Sequence, residues 1–165
     1  MLAVVNVLPE DEFQEQLGKL AREYEEISDH DLPAYALARL YNRCASCHSL
    51  DGKSGTGPSF KGLWERTKNG TTVFKDGSTL KDYMGPGGQF EVPENYIRDS
   101  ILNPQNHIVQ NYTGAMPTFK GQLKERQIDA LVLMLKNYDK LVDEQGNVIE
   151  NPDLTGVDIS TGVDQ

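Results

Sequence analysis

Cys44-Ala45-Ser46-Cys47-His48 is the stretch from which the rest of this 165-residue chain is read. Two thiols three positions apart can add as thioethers to the two vinyl groups of one porphyrin. An imidazole immediately after them falls under the ring, where its nitrogen can bind iron. The segment therefore reads as the attachment sequence of one covalent c-type haem, with Cys44 and Cys47 as anchors and His48 as the proximal iron ligand. A thioredoxin-like dithiol would need a surrounding βαβ pattern, and a zinc site would need further ligands at suitable spacing. Neither accompanies the motif: residues 32–44 read as a helix, and Cys44 and Cys47 are the only cysteines in the chain.

Hydrophobic residues make up 38% of the sequence, enough for one ordinary domain. Charge is unevenly spread. Residues 1–31 hold nine acidic and two basic side chains, residues 139–165 seven and one, and residues 32–138 nine and thirteen. A mildly basic middle, net +4, thus lies between acidic arms of −7 and −6, for −9 overall. A pI near 4.8 argues against nucleic acid as a partner, because binding phosphates requires a basic face. No run of about 18 apolar residues occurs, so no transmembrane segment is expected. The first seven residues lack the basic and long apolar regions of a signal peptide, yet haem c is attached after export. The sequence is therefore read as a processed form, and a lipid or helical anchor is compatible with the missing leader.

Residues 2–8 are valine-rich and end at Pro9, a short strand or extended arm. Phe13, Leu17, Leu20, Tyr24 and Ile27 then recur at spacings of 4, 3, 4 and 3, which predicts an amphipathic helix with a narrow apolar seam for the core or for a partner subunit. Asp31-Leu32-Pro33 is a helix start with Asp31 as cap, and Leu37, Leu40 and Tyr41 line one face running into the motif. Residues 49–58 are rich in turn formers. Thr71 to Phe74 and Thr79-Leu80 flank Asp76-Gly77, the signature of a β-hairpin. Gly85-Pro86-Gly87-Gly88 reads as a flexible connector. A helix begins at Pro93 and must stop before Pro104. The strongest helical period runs over residues 123–141, with Gln122 a weak cap, and the tail from Val142 is expected to be extended or disordered unless another chain orders it.

A haem iron held by one histidine has a second axial position, and its occupant decides between electron transfer and ligand chemistry. Met116 precedes Pro117 in a loop just before the last helix, and the proline biases it to an extended conformation that can present a thioether across a pocket. Met84, Met134, His30 and His107 are the rivals. Met134 lies inside the last helical period and reads as core, Met84 flanks the glycine run, and His30 and His107 read as surface or capping residues. Thioether ligation stabilises ferrous iron, so a His/Met site has a higher potential than a bis-His one. Lys53, Lys61, Lys120 and Lys124 fall in or near the loops expected around the haem edge and are candidates for steering an acidic redox partner.

The pattern Ala38-x-x-Tyr41-x-x-Cys44-x-x-Cys47-His48, then Gly57-Pro58, then Met116-Pro117 and a final long helix resembles the class I cytochromes c. In detail, residues 57–63, 76–79, 96–101 and 116–123 are similar to the cytochrome c domain of subunit II in caa-type haem-copper oxidases. The resemblance covers roughly residues 33–140 and implies that Pro58 offers its carbonyl to the proximal imidazole N–H. It departs from that subunit in having no cysteine for a dinuclear copper site. The chain in this respect resembles the separate monohaem cytochrome c subunit of the bacterial alternative complex III, and the resemblance implies that role.

The expected fold is mostly α: a class I cytochrome c fold around one haem, with a small hairpin insertion and extended arms. Residues 1–31 would be the N-terminal arm and helix, 32–141 the cytochrome c domain, and 142–165 the acidic tail. The expected function is that of an electron carrier, not an enzyme, in a membrane-bound respiratory complex on the periplasmic side of the cytoplasmic membrane. Its partners would be the other subunits and a redox protein. The alternatives are a free-standing periplasmic carrier, or a haem sensor or enzyme with a displaceable sixth ligand.

Overall fold

The computed structural model describes residues 7–162, without the side chains of residues 20–23. Most of the expected segment 2–8 lies outside the described residues. Among them are the α-helices α1 (Glu10–Glu26), α2 (Leu32–Tyr35), α3 (Leu63–Lys68), α4 (Pro93–Leu102), α5 (Glu125–Lys136) and α6 (Tyr138–Leu141). Extended pairing among the described residues is limited to isolated bridges.

The core is built on α5, where the helical period places Ile128 and every residue from Ala130 to Leu135 in the interior. Burial of an aliphatic side chain of this size contributes about 1.5–3 kcal/mol, which makes α5 the main apolar support of the fold. It packs against α2, α3 and α4. The helix is shorter than the 123–141 periodicity predicts. It begins at Glu125, where the Gln127 side chain accepts the Lys124 N–H at 3.0 Å, and it breaks at Asn137. There the Asn137 amide donates to the carbonyls of Leu133 and Asp158 and accepts the Asp158 N–H, each at 2.9 Å. Those bonds hold the backbone out of helical geometry before α6 resumes.

The helical run into the motif is also less regular than its pattern implies. α2 carries Pro33 in its first turn, as expected, but Asp31 makes no capping bond. Ser28 does that work instead: its hydroxyl accepts the Asp31 N–H at 3.3 Å and donates to the Asp31 carboxylate at 2.7 Å. After α2 the helix widens to a π turn at Ala36–Leu40, then tightens to a 3₁₀ turn at Tyr41–Arg43. Leu37 and Leu40 stay buried throughout.

α4 runs between its two prolines as the sequence predicts, burying Tyr96, Ile97 and Ile101. The expected hairpin is reduced to one antiparallel bridge, Val73 to Thr79. Asp76 draws the turn tight by accepting the Ser78 N–H and hydroxyl, Thr79 and Asp82 cap a 3₁₀ turn at Leu80–Tyr83, and Phe74 bridges instead to Val109. The backbone is thus diverted before a ladder can extend. The glycine run is not a loose connector. Met84 bridges Phe90, and backbone bonds from Gly85 and Phe90 close a loop that buries the Phe90 ring.

The acidic tail has little regular structure, as expected of an extended segment, but contacts within its own domain hold it. Lys136 bonds Glu94, Asp158 and Ser160, Lys140 donates to the Thr155 carbonyl, Lys61 to the Glu144 carbonyl, and Val142 bridges Val148. At the other end, Arg126 clamps α1 through the Tyr24 and Ile27 carbonyls and the Asp29 carboxylate. Ile27 packs on the core, whereas Phe13 and Leu17 remain 45% and 42% exposed, so among the described side chains of the predicted seam the N-terminal ones are left uncovered.

Candidate haem site

The residues from Cys44 to His48 form a tight turn in which the N–H groups of Cys47 and His48 both donate to the Cys44 carbonyl. Both cysteines are free and half-buried, and burial pushes the Cys44 thiol pKa up. His48 is buried and held on several sides. The Tyr41 hydroxyl donates to its carbonyl at 2.8 Å, Phe60 stacks on its ring at 4.8 Å and 21°, and Nδ1 lies 2.7 Å from the Pro58 carbonyl. A carbonyl only accepts, so Nδ1 carries the proton and Nε2 keeps the lone pair that a metal requires. Burial lowers the imidazole pKa, with the Pro58 bond opposing it, and the neutral form is the ligating one.

Gly57 completes this cradle. A Cβ there would stand 2.6 Å from His48 Cε1, so no side chain fits between the 49–58 loop and the ring. The loop is pinned by Ser59, whose hydroxyl donates to the Ser49 carbonyl and accepts the Gly52 N–H, and by Arg66, which donates to the Ser59 carbonyl.

Cys44, Cys47 and His48 line one large cleft, of about 1180 Å³ counting its open mouth, together with side chains of α4, α5 and the loop between them. Met116 lines the same cleft. Its loop hangs from the end of α4: Gln105 donates to the carbonyls of Gly114 and Met116, Thr118 to that of Leu102, and the Phe119 N–H to that of Ile101. Gly114 has φ +80°, and a Cβ there would meet Ile108 at 2.7 Å, so glycine is required for the loop to close on the cleft.

Of the rivals, Met84 and His30 do not line the cleft; Met84 is bridged to Phe90 and His30 is half exposed beside Asp31. Met134 is 1% exposed and forms part of the cleft wall from within α5. His107 departs from its reading as a surface or capping residue: it lines the cleft with its ring set among Phe74, Tyr83 and Phe90. Sequence reasoning also missed Gly57, Phe60 and Tyr41 as supports of His48. Gly57, Phe60 and Tyr41 are visible in the sequence only as parts of a pattern, without a sign of the contact each makes with His48.

Two half-buried thiols, a neutral imidazole with its lone pair free, and an apolar cleft beside them fit a covalently attached haem. Among the described residues no group of three or more His, Cys, Asp or Glu could hold a bare metal ion, which the zinc alternative would need. Fold and site together define a mostly helical haem-binding protein. The family model described as Cytochrome c matches residues 37–139, more than half of the chain, and the chain belongs to that family. The family carries haem c covalently and acts in electron transfer. No helix among the described residues is long and apolar enough to cross a membrane.

Proposed function

We propose that this chain is the monohaem electron-transfer subunit of a membrane-bound respiratory complex, of the kind found in alternative complex III, in which His48 and Met116 would hold the haem iron. The observation that carries the electron-transfer reading is the convergence of Cys44, Cys47, His48 and Met116 on one cleft. The haem supplies a one-electron ferric/ferrous couple. Cys44 and Cys47 would hold it through thioethers, keeping it with the protein in both oxidation states. His48 presents Nε2 in an orientation set by Pro58, Phe60 and Gly57, which lowers the rearrangement needed when charge changes. Met116 offers a thioether from a loop pinned at both ends, and the apolar walls exclude water from the centre.

Electrons would enter from a quinol-oxidising or multihaem partner and leave to a soluble cytochrome or terminal oxidase. Two of the lysines expected to steer an acidic partner are already engaged, Lys53 with Asp51 and Lys61 with the Glu144 carbonyl. Lys120 and Lys124 are exposed and remain the better candidates. The exposed seam of α1, the acidic arms and the family resemblance support the subunit role on the periplasmic side of a membrane.

A redox titration of the holoprotein is expected to give one reversible one-electron transition, with slow carbon monoxide binding to the ferrous form. Rapid carbon monoxide binding would favour a sensor or enzyme with an open sixth position. Solubilised native membranes are expected to release the chain together with other redox subunits, and release as a lone protein would leave the free carrier.

A further inference from the structure

The segment that follows α6 makes a turn that rests on the loop cradling His48. Val142 bridges Val148, the Asp143 N–H donates to the Asn147 carbonyl at 2.9 Å, and the Ile149 N–H returns to the Leu141 carbonyl at 2.9 Å. Between those bonds the Asp143 carboxylate accepts the Gln145 and Asn147 N–H groups at 2.9 and 2.8 Å. Residues 143–147 thus form a closed turn that supports itself. They lie beyond residue 139, where the family match ends, and none of the residues lining the cleft belongs to the turn.

The turn meets the 49–58 loop and its continuation at two points. Gly146 has φ +88°, and a Cβ there would stand 2.5 Å from Asp51 Cα and 2.8 Å from the Asp51 nitrogen. The two backbones are therefore in direct contact, and only glycine fits between them. Lys61 supplies the second point. Its Nζ donates to the Glu144 carbonyl at 2.6 Å, and its stem runs past Gly52, where a Cβ would meet Lys61 Cδ at 3.5 Å. Just ahead of Asp51, the Leu50 carbonyl accepts the Tyr138 hydroxyl from α6. Asp51 and Lys61 bracket the stretch that holds Gly57 and Pro58. Within it the Ser59 hydroxyl accepts the Gly52 N–H at 3.0 Å and the Lys61 N–H at 3.2 Å, so both contacts with the turn are joined at the residue after Pro58. A displacement of the turn is thereby passed to the Pro58 carbonyl, 2.7 Å from His48 Nδ1.

We propose that the turn at residues 143–147 braces the proximal ligand, with Gly146 and Lys61 as positioning residues that set the Pro58–His48 hydrogen bond and, through it, the redox potential. This role rests on the electron-carrier reading and deepens it. A carbonyl that accepts the imidazole N–H makes the opposite nitrogen more basic, and a more basic ligand favours ferric iron. Loosening the brace weakens that bond, so the potential rises. Charge works the other way: a cation near the centre favours the ferrous state, so loss of the Lys61 ammonium by itself lowers the potential. The two effects of Lys61→Met therefore differ in sign.

The test is spectroelectrochemistry of the full-length holoprotein as wild type, Gly146→Ala, Lys61→Met, Lys61→Arg and Leu154→Ala, with the His48 Nδ1 proton followed by NMR in the ferrous form. Gly146→Ala and Lys61→Met are expected to shift the ferric/ferrous ratio about threefold toward ferrous, a rise of ~28 mV at 59 mV per decade. Both should also move the Nδ1 proton upfield. Lys61→Arg keeps the donor and is expected at the wild-type potential. Leu154 packs on the core further along the tail, so Leu154→Ala is expected to lower the unfolding midpoint and leave both redox readouts in place. The brace is overturned by an unchanged potential in Gly146→Ala, by an unchanged or lowered one in Lys61→Met, or by a rise in Lys61→Arg or Leu154→Ala equal to that in Gly146→Ala. Should Gly146→Ala fail to fold, Lys61→Met against Lys61→Arg decides by sign. Failure of the electron-carrier reading shows separately, as a wild-type protein without a reversible one-electron transition.

Discussion

His48 depends on what is absent at position 57. With 2.6 Å between a would-be Cβ and His48 Cε1, Gly57→Ala must displace the imidazole or the loop, and overpacking of this kind costs about 1–3 kcal/mol. The expected outcome is a lowered unfolding midpoint together with a shifted haem spectrum; an unchanged spectrum would mean that the ring is not fixed by this contact. Tyr41→Phe is milder. It removes the bond to the His48 carbonyl and should cost about 0.5–1.5 kcal/mol in denaturant unfolding without changing the iron ligands. The attachment motif itself is legible from five letters. Its supports are not, because Gly57 and Phe60 act through the position of the imidazole ring, which the chain sets only after folding.

At the scale of elements, local rules locate α4 well, since Pro93 starts it and Pro104 ends it. They fail at the end of α5, where Asn137 is turned by Asp158, 21 positions away, and no local pattern carries that information. The hairpin prediction meets the same limit: Asp76-Gly77 does turn the chain, but the edge of Phe74 is claimed by Val109. Lys136 couples α5, α4 and the tail through a pair with Glu94 in which both side chains are only 8% exposed. Removing one member of a buried pair leaves the other charged and unpaired, at a cost of about 3–5 kcal/mol. Lys136→Met should therefore lower urea stability by that amount and speed proteolysis of the tail near Ser160. Adding Glu94→Gln should recover part of the loss; no recovery would mean that the pair is not coupled.

For the whole molecule, carboxylates held by loop and tail hydrogen bonds carry a pH consequence. Hydrogen bonds from Lys53 hold the Asp51 carboxyl down to about 2, and side-chain bonds from Ser78, Asn147 and Thr155 hold Asp76, Asp143 and Asp153 below the usual range. Depressed carboxyls stabilise the fold above their unfolded pKa, near 3.9, and that contribution is lost as pH falls through the folded values. Thermal unfolding should thus show stability declining from about pH 4 toward 2, with a flat profile contradicting these loop bonds. Composition announced the acidic arms, but not that the tail folds back on its own domain, because its anchors are single long-range contacts of Lys136, Asn137 and Lys140. The central claim for the molecule is the pairing of His48 with Met116, and the absorption of the oxidised holoprotein in the far red tests it most directly. A thioether-to-iron charge-transfer band is expected in wild type, lost in Met116→Ala and kept in Met84→Ala; its absence from wild type, or its survival in Met116→Ala, would contradict the pairing.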